Sequence, residues 1–145
     1  MEPTEIETRI GTLLDRFDLT DAADDRISTY SKGMRRKTGL IQAIMHEPTV
    51  AFLDEPTSGL DPRAARTVRE TITELAAGGT TVFLSTHVLP VVEEIATEVG
   101  ILYEGEVVAE GSPDDLIARM ETGEESTLED VFIEVTTDEA DNSDP

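Results

Sequence analysis

The stretch Val50-Ala51-Phe52-Leu53-Asp54-Glu55-Pro56-Thr57-Ser58-Gly59-Leu60-Asp61-Pro62 decides the fold. Its first four residues are a short apolar run of the kind found in buried strands of parallel sheets. Asp61-Pro62 reads as a helix N-cap followed by proline at the first helical position. Two carboxylates stand between, at the end of the expected strand. In open parallel sheets that is where ligands bind. Asp54 can hold Mg²⁺ on a nucleotide there, usually through water, because magnesium keeps much of its hydration shell. Glu55 points in a different direction and can polarise an attacking water. Taken alone, the pair is equally compatible with two solvated acids at a strand end.

Downstream, Val68, Ile72 and Leu75 continue a helix that Gly78-Gly79 stops, and 80–85 (TTVFLS) is a second buried-strand candidate. Strand, helix and strand at this spacing form one βαβ unit with a right-handed crossover. A further helix is expected over 89–96, then strands over 99–103 and 106–110, with Glu104-Gly105 as the hairpin turn. Ser112-Pro113 opens a short helix. Ser126-Thr127-Leu128-Glu129 matches a capping box, with Leu128, Val131 and Phe132 on one face of the helix it starts. From Thr136 the chain is acidic and poor in large apolar residues, so 136–145 is predicted to be a disordered tail.

Upstream, Ile6, Ile10, Leu13, Leu14 and Phe17 fall at helical spacing and predict an amphipathic helix over 3–18. A polar connection over 21–25 leads to a second helix starting near Ser31. That helix carries Met34, Leu40, Ile41, Ile44 and Met45 and ends by Pro48.

The formal charge is −21, from 32 acidic and 11 basic residues, and only Lys32 and Lys37 are lysines. So negative a surface repels nucleic acid and anionic lipid. Self-repulsion destabilises the compact state until salt screens it, as the Debye length falls from about 10 Å at 0.1 M to about 3 Å at 1 M. Abundant acid with almost no lysine resembles the proteins of salt-accumulating halophiles, which points to a halophilic archaeon. The alternative is an ordinary acidic protein with a disordered tail. Absent cysteines exclude disulfides and thiolate metal sites. No apolar stretch has the length that spans a bilayer.

With its neighbours, the stretch Leu53 to Pro62 (LDEPTSGLDP) resembles the Walker B motif, catalytic glutamate and D-loop of the ATP-binding-cassette (ABC) ATPases. Tyr30-Ser31-Lys32-Gly33-Met34 looks like that family's signature motif, and Ser85-Thr86-His87 like its switch-histidine segment. The resemblance implies an α/β fold: part of a P-loop NTPase-type domain with a mostly parallel sheet and part of the helical subdomain. It also implies ATP and Mg²⁺ as cofactors. Asp54 would help to hold Mg²⁺, Glu55 would act as general base or water-orienting group, and His87 would contact the γ-phosphate. Ser58, Gly59 and Asp61 would sit on the interface of a dimer. Ser31 and Gly33 would touch the γ-phosphate of ATP held by the opposite subunit. Physics supports the last role independently, because the free N–H groups and dipole at a helix start favour an anion and glycine admits close approach. A serine there can equally be only an N-cap. The basic cluster Lys32, Arg35, Arg36 and Lys37 reads as a solvated helix face, and His46 has no assigned role.

The implied segments are 1–47 (helical subdomain with the signature), 48–112 (the Walker B, D-loop and switch-histidine half of the catalytic core), 113–135 (C-terminal helices) and the tail. The segment over 126–135 (STLEDVFIEV) and the Y-S-K-G-M signature resemble ABC-2-type export ATPases. The implied partners are a second cassette subunit, identical or not, and a membrane permease, with no nucleic acid. The implied location is the cytoplasmic face of the membrane. The sequence holds no phosphate loop of the form G-x-x-x-x-G-K-[ST], since Lys32 follows Ser31 and Lys37 follows Arg36. The expectation is therefore a truncated or split gene, or a misplaced start, and a chain inactive by itself. Two functions lead: the ATP-hydrolysing subunit of an exporter, or a non-catalytic partner that binds a full-length cassette subunit; a third, a non-transport cassette ATPase, would be marked by long coiled-coil heptads or a tandem second cassette, and neither is visible in these residues.

Overall fold

A computed structural model describes residues 1–120 and 125–142, which divide into two compact units, Met1–Thr86 and His87–Pro145. The division falls inside the expected 48–112 segment.

In the first unit, helix α1 (Pro3–Arg16) starts on a capping box in which the Glu2 N–H donates to Glu5 Oε2 at 2.8 Å. It ends where Asp18 turns left-handed at φ 55°. Two short 3₁₀ turns lead to α2 (Lys32–Ile44): Thr20–Ala22 overlaps the start of the polar connection expected over 21–25, and Ile27–Thr29 follows it. Parallel strands β1 (Val50–Asp54) and β2 (Thr81–Ser85) flank α3 (Pro62–Ala77) in sequence and pair in register from Val50↔Thr81 to Asp54↔Ser85. Arg16 forks onto both carboxylate oxygens of Glu74 at 2.6 and 2.8 Å, tying α1 to α3. The guanidinium holds the Glu74 carboxyl below the usual carboxylate range. Arg9 donates to the carbonyl of Ile44, the last residue of α2, and to Glu47 beyond it at 2.7 Å.

Burial corrects the expectation of strands covered on both faces. Ala51 and Leu53 are buried, whereas Phe52 is 76% and Phe83 63% exposed. The two rings meet across the strands, 5.6 Å between centroids. Among the described residues this sheet has two strands, and the apolar run forms a strand with only one covered face.

The second unit contains α4 (Leu89–Ile95), the antiparallel hairpin β3 (Val99–Tyr103) and β4 (Glu106–Gly111), α5 (Pro113–Ala118) and α6 (Leu128–Asn142). Glu104 at φ 49° and Gly105 at φ 86° make the turn, which the Glu-Gly pair had signalled. Ser112 caps α5 by accepting the Asp115 N–H. Ile101, Leu116, Leu128 and Val131 form the core.

Three expectations for this unit are corrected. The cap of α6 is Thr127 with Asp130, one residue later than the Ser126–Glu129 reading. The Asp130 carboxylate accepts from the Thr127 N–H at 2.8 Å. Packing sets the shift: Leu128 must lie in the core, and its N–H donates to Glu93 Oε1 on α4 at 2.7 Å. Phe132 is exposed, at 37%, rather than buried with Leu128 and Val131. The tail expected to be disordered from Thr136 is helical through Asn142, with Val135 packed on the core and the Thr136 and Thr137 hydroxyls bonded back to Phe132 and Ile133 carbonyls. Residues 143–145 lie outside the described residues. Among the described residues no helix is long and apolar enough to cross a membrane.

Candidate functional site

The site of the first unit is the loop between β1 and α3, set against the start of α2. Strand β1 ends at Asp54, whose register partner is Ser85. The Ser85 hydroxyl donates to Asp54 Oδ1 at 2.6 Å, which orients the carboxylate. Glu55 then leaves the strand in the left-handed region, at φ 47°, a conformation that costs a non-glycine residue of order 1 kcal/mol. The surroundings hold it there. Its N–H donates to the Ser85 carbonyl at 2.8 Å. Its own carbonyl accepts from Ser58 N–H at 3.1 Å and from Arg36 Nη2 at 2.6 Å. Thr86 Oγ1 donates to Glu55 Oε2 at 3.1 Å. The left-handed step turns the half-buried Glu55 away from Asp54, which is exposed. The two adjacent carboxylates thus have separate hydroxyl partners and separate surroundings.

Pro56 and Thr57 are buried, and Ser58 and Gly59 make the turn, Gly59 at φ 73°. Asp61 caps α3, its carboxylate accepting the Ala64 N–H at 3.0 Å. That bond, assisted by the Arg63 N–H and the charge of Lys37, lowers the Asp61 pKa, against a smaller opposing effect of burial. A depressed folded-state pKa contributes stability that is present above the unfolded value, about 3.9, and is lost as pH falls through the folded one. Asp61→Asn keeps an acceptor at the cap but removes the charge. Its acid unfolding, followed by circular dichroism below about pH 4, is expected to be shallower than that of the native chain. Equal acid limbs would contradict this role of the cap.

Ser31 is the N-cap of α2, and its Oγ accepts the Met34 N–H at 3.2 Å. The capping reading of Ser31 therefore holds, with its hydroxyl oxygen as the acceptor. Gly33 lies in the first turn, facing the β1–α3 loop: a Cβ there would stand 3.7 Å from Leu60 Cδ2 and 3.9 Å from the Gly59 carbonyl oxygen. Ser31, Gly33, Ser58, Gly59 and Asp61 thus belong to one neighbourhood built from the α2 start and the loop. Asp54 and Glu55 open the same loop. His87 follows Thr86 in sequence and begins the second unit.

Arg36 departs from the expectation of a solvated basic face. It is half-buried and bonded to the Glu55 carbonyl. Sequence reasoning also passed over Ser85 as the partner of Asp54. The parallel register supplies the signal, because residues at the ends of paired strands come level.

The donors at Asp54 fit magnesium carried on a nucleotide. Asp54 offers one hard carboxylate beside a hydroxyl, the set that suffices when water and phosphate complete the shell. Among the described residues no group of three or more His, Cys, Asp or Glu converges to make an all-protein cage.

Residues 2–92 match the family model described as "AAA domain, putative AbiEii toxin, Type IV TA system". The chain is 44% identical over 108 residues to a daunorubicin resistance ATP-binding protein of Streptomyces coeruleorubidus, covering 74% of this chain and 34% of that protein. It is 39% identical over 117 residues to the Nod factor export ATP-binding protein I of Rhizobium meliloti, covering 81% and 35%. A solved ATP-binding subunit of an ABC transporter superposes with a TM-score of 0.86 at 32% identity, over 94% of this chain and 56% of that one. The chain spans about a third of the length of these two curated relatives.

Proposed function

We propose a function from one premise: the chain belongs to the ATP-binding-cassette family of transporter ATP-binding proteins. Its fold class is accordingly the α/β, P-loop NTPase type with part of the parallel sheet. In the proposed reading these residues supply the water-activating and partner-facing parts of an ATPase that couples hydrolysis to export. The observation that carries it is the junction of the α2 start with the β1–α3 loop, where Gly33 packs beside Gly59 and Leu60. One surface there joins an anion-favouring helix N-terminus to the segment leading from the two carboxylates.

Each residue has a role in this scheme. Ser31 and Gly33 meet the γ-phosphate of ATP held by a second cassette subunit. Ser58, Gly59 and Asp61 line the contact with that subunit. Asp54, oriented by Ser85, would hold the Mg²⁺ that accompanies ATP, usually through water, and the ion would supply neutralisation of phosphate charge. Glu55 orients and deprotonates the attacking water, and His87 contacts the γ-phosphate. A permease at the cytoplasmic face of the membrane receives the work. The acidic surface is the salt-adapted surface of a halophile's protein.

A second reading makes these residues a non-catalytic partner that binds a full-length cassette subunit through the same α2 start and β1–α3 loop. Both readings require the α2 start to meet the partner's nucleotide. Gly33→Asp tests this, because an acid in the first turn suits the helix but repels phosphate. In high salt, sedimentation is expected to show the native chain binding an intact cassette subunit with ATP and not with ADP. Gly33→Asp is expected to abolish that binding with the fold intact. Association that ignores the nucleotide, or survives Gly33→Asp, would contradict the proposal.

A further inference from the structure

We infer that Arg36 is a positioning residue for Glu55, linking the phosphate-facing end of α2 to the water-orienting group of this chain's own site. The inference rests on the roles proposed above for Glu55 and the α2 start.

A backbone carbonyl has two lone pairs, and Glu55 has both engaged, by Ser58 N–H at 3.1 Å and Arg36 Nη2 at 2.6 Å. The second bond is charge-assisted and short, which makes it the stronger of the two. It acts on the residue whose left-handed φ of 47° needs holding. The arrangement also has a cost, because Arg36 Nε is buried without an acceptor. A lysine or glutamine pointing into water would carry no such cost, so what the guanidinium offers at this position is its reach to the Glu55 peptide.

Arg36 stands on the same rigid helix as Gly33, about one turn further on. The start of that helix already touches the loop, with Gly33 beside Leu60 and Lys32 beside Gly59. When the α2 start meets phosphate on the opposite subunit, the guanidinium moves with the helix. The Glu55 peptide follows through the 2.6 Å bond. Occupancy of the partner's nucleotide thereby sets the placement of this chain's own carboxylate.

Carbonyl and amide NMR on the whole chain in high salt tests the link without depending on turnover. Arg36→Met keeps the length of the stem and removes every donor. It is expected to move the Glu55 carbonyl and Ser58 amide signals and to speed Ser58 hydrogen exchange about tenfold or more. Val68 and Ile72 in α3 should remain unchanged, and Arg36→Lys should recover part of the effect. Unmoved Glu55 and Ser58 signals would overturn the inference. So would changes spread equally to Val68 and Ile72, which would make Arg36 a general prop of the fold. If Arg36→Met does not fold, Arg36→Gln, whose amide is too short to reach, is read in the same way. The catalytic role of Glu55 is judged separately by turnover of Glu55→Gln. Failure there leaves the NMR result standing, and an unmoved Glu55 carbonyl defeats the link whatever the turnover.

Discussion

In a cassette that joins these residues to a phosphate-binding loop, Glu55→Gln is expected to slow ATP turnover by about 10²–10⁴, the scale of a lost general base. The substitution is nearly isosteric. A glutamine oxygen can still accept from Thr86 Oγ1, which now donates to Glu55 Oε2 at 3.1 Å. The backbone bonds that hold the left-handed turn, to Ser85, Ser58 and Arg36, do not involve the side chain. Fold and partner binding should therefore persist while the chemical step fails. Steady-state hydrolysis compared with nucleotide-dependent association separates the two. An unchanged rate would remove Glu55 from the mechanism.

The second large effect is on stability. Phe17, just past α1, is 1% exposed, and Phe17→Ala is expected to cost about 3–5 kcal/mol through lost burial and the cavity left behind. Set against a typical total of about 5–15 kcal/mol, that is a large share of the fold. Phe52→Ala removes the same atoms from a site that is 76% exposed and should cost less than about 1 kcal/mol, mostly the loss of its contact with Phe83. Denaturant unfolding in high salt measures both. A larger loss for Phe52→Ala than for Phe17→Ala would contradict the burial assigned to the two faces.

Local chemistry made much of this chain legible. Asp61 and Ser112, each followed by proline, marked helix starts that the structure confirms, and Glu104-Gly105 marked the hairpin. Signals decided by packing were not legible. Both Ser126–Glu129 and Thr127–Asp130 satisfy the spacing of a cap, and the choice was made by Leu128 entering the core. The continuation of α6 to Asn142 through an acidic, apolar-poor segment had no periodic signal beyond Val135. An apolar strand does not declare which of its faces is covered, so the exposure of Phe52 and Phe83 required the sheet itself.

The same holds at the site. The carboxylates, glycines and hydroxyls were readable from their order in LDEPTSGLDP and in the segment from Tyr30 to Met34. Arg36 was not. Its acceptor is a backbone carbonyl 19 residues away, and a main-chain oxygen leaves no residue type to recognise.

These residues are proposed to carry the water-activating part of a cassette site. ATP turnover by the purified chain in high salt with Mg²⁺, alone and with an intact cassette homologue, tests this most directly. No turnover is expected from the chain alone, and nucleotide-dependent engagement only with the homologue present. Turnover by the chain alone that disappears in Glu55→Gln would contradict it.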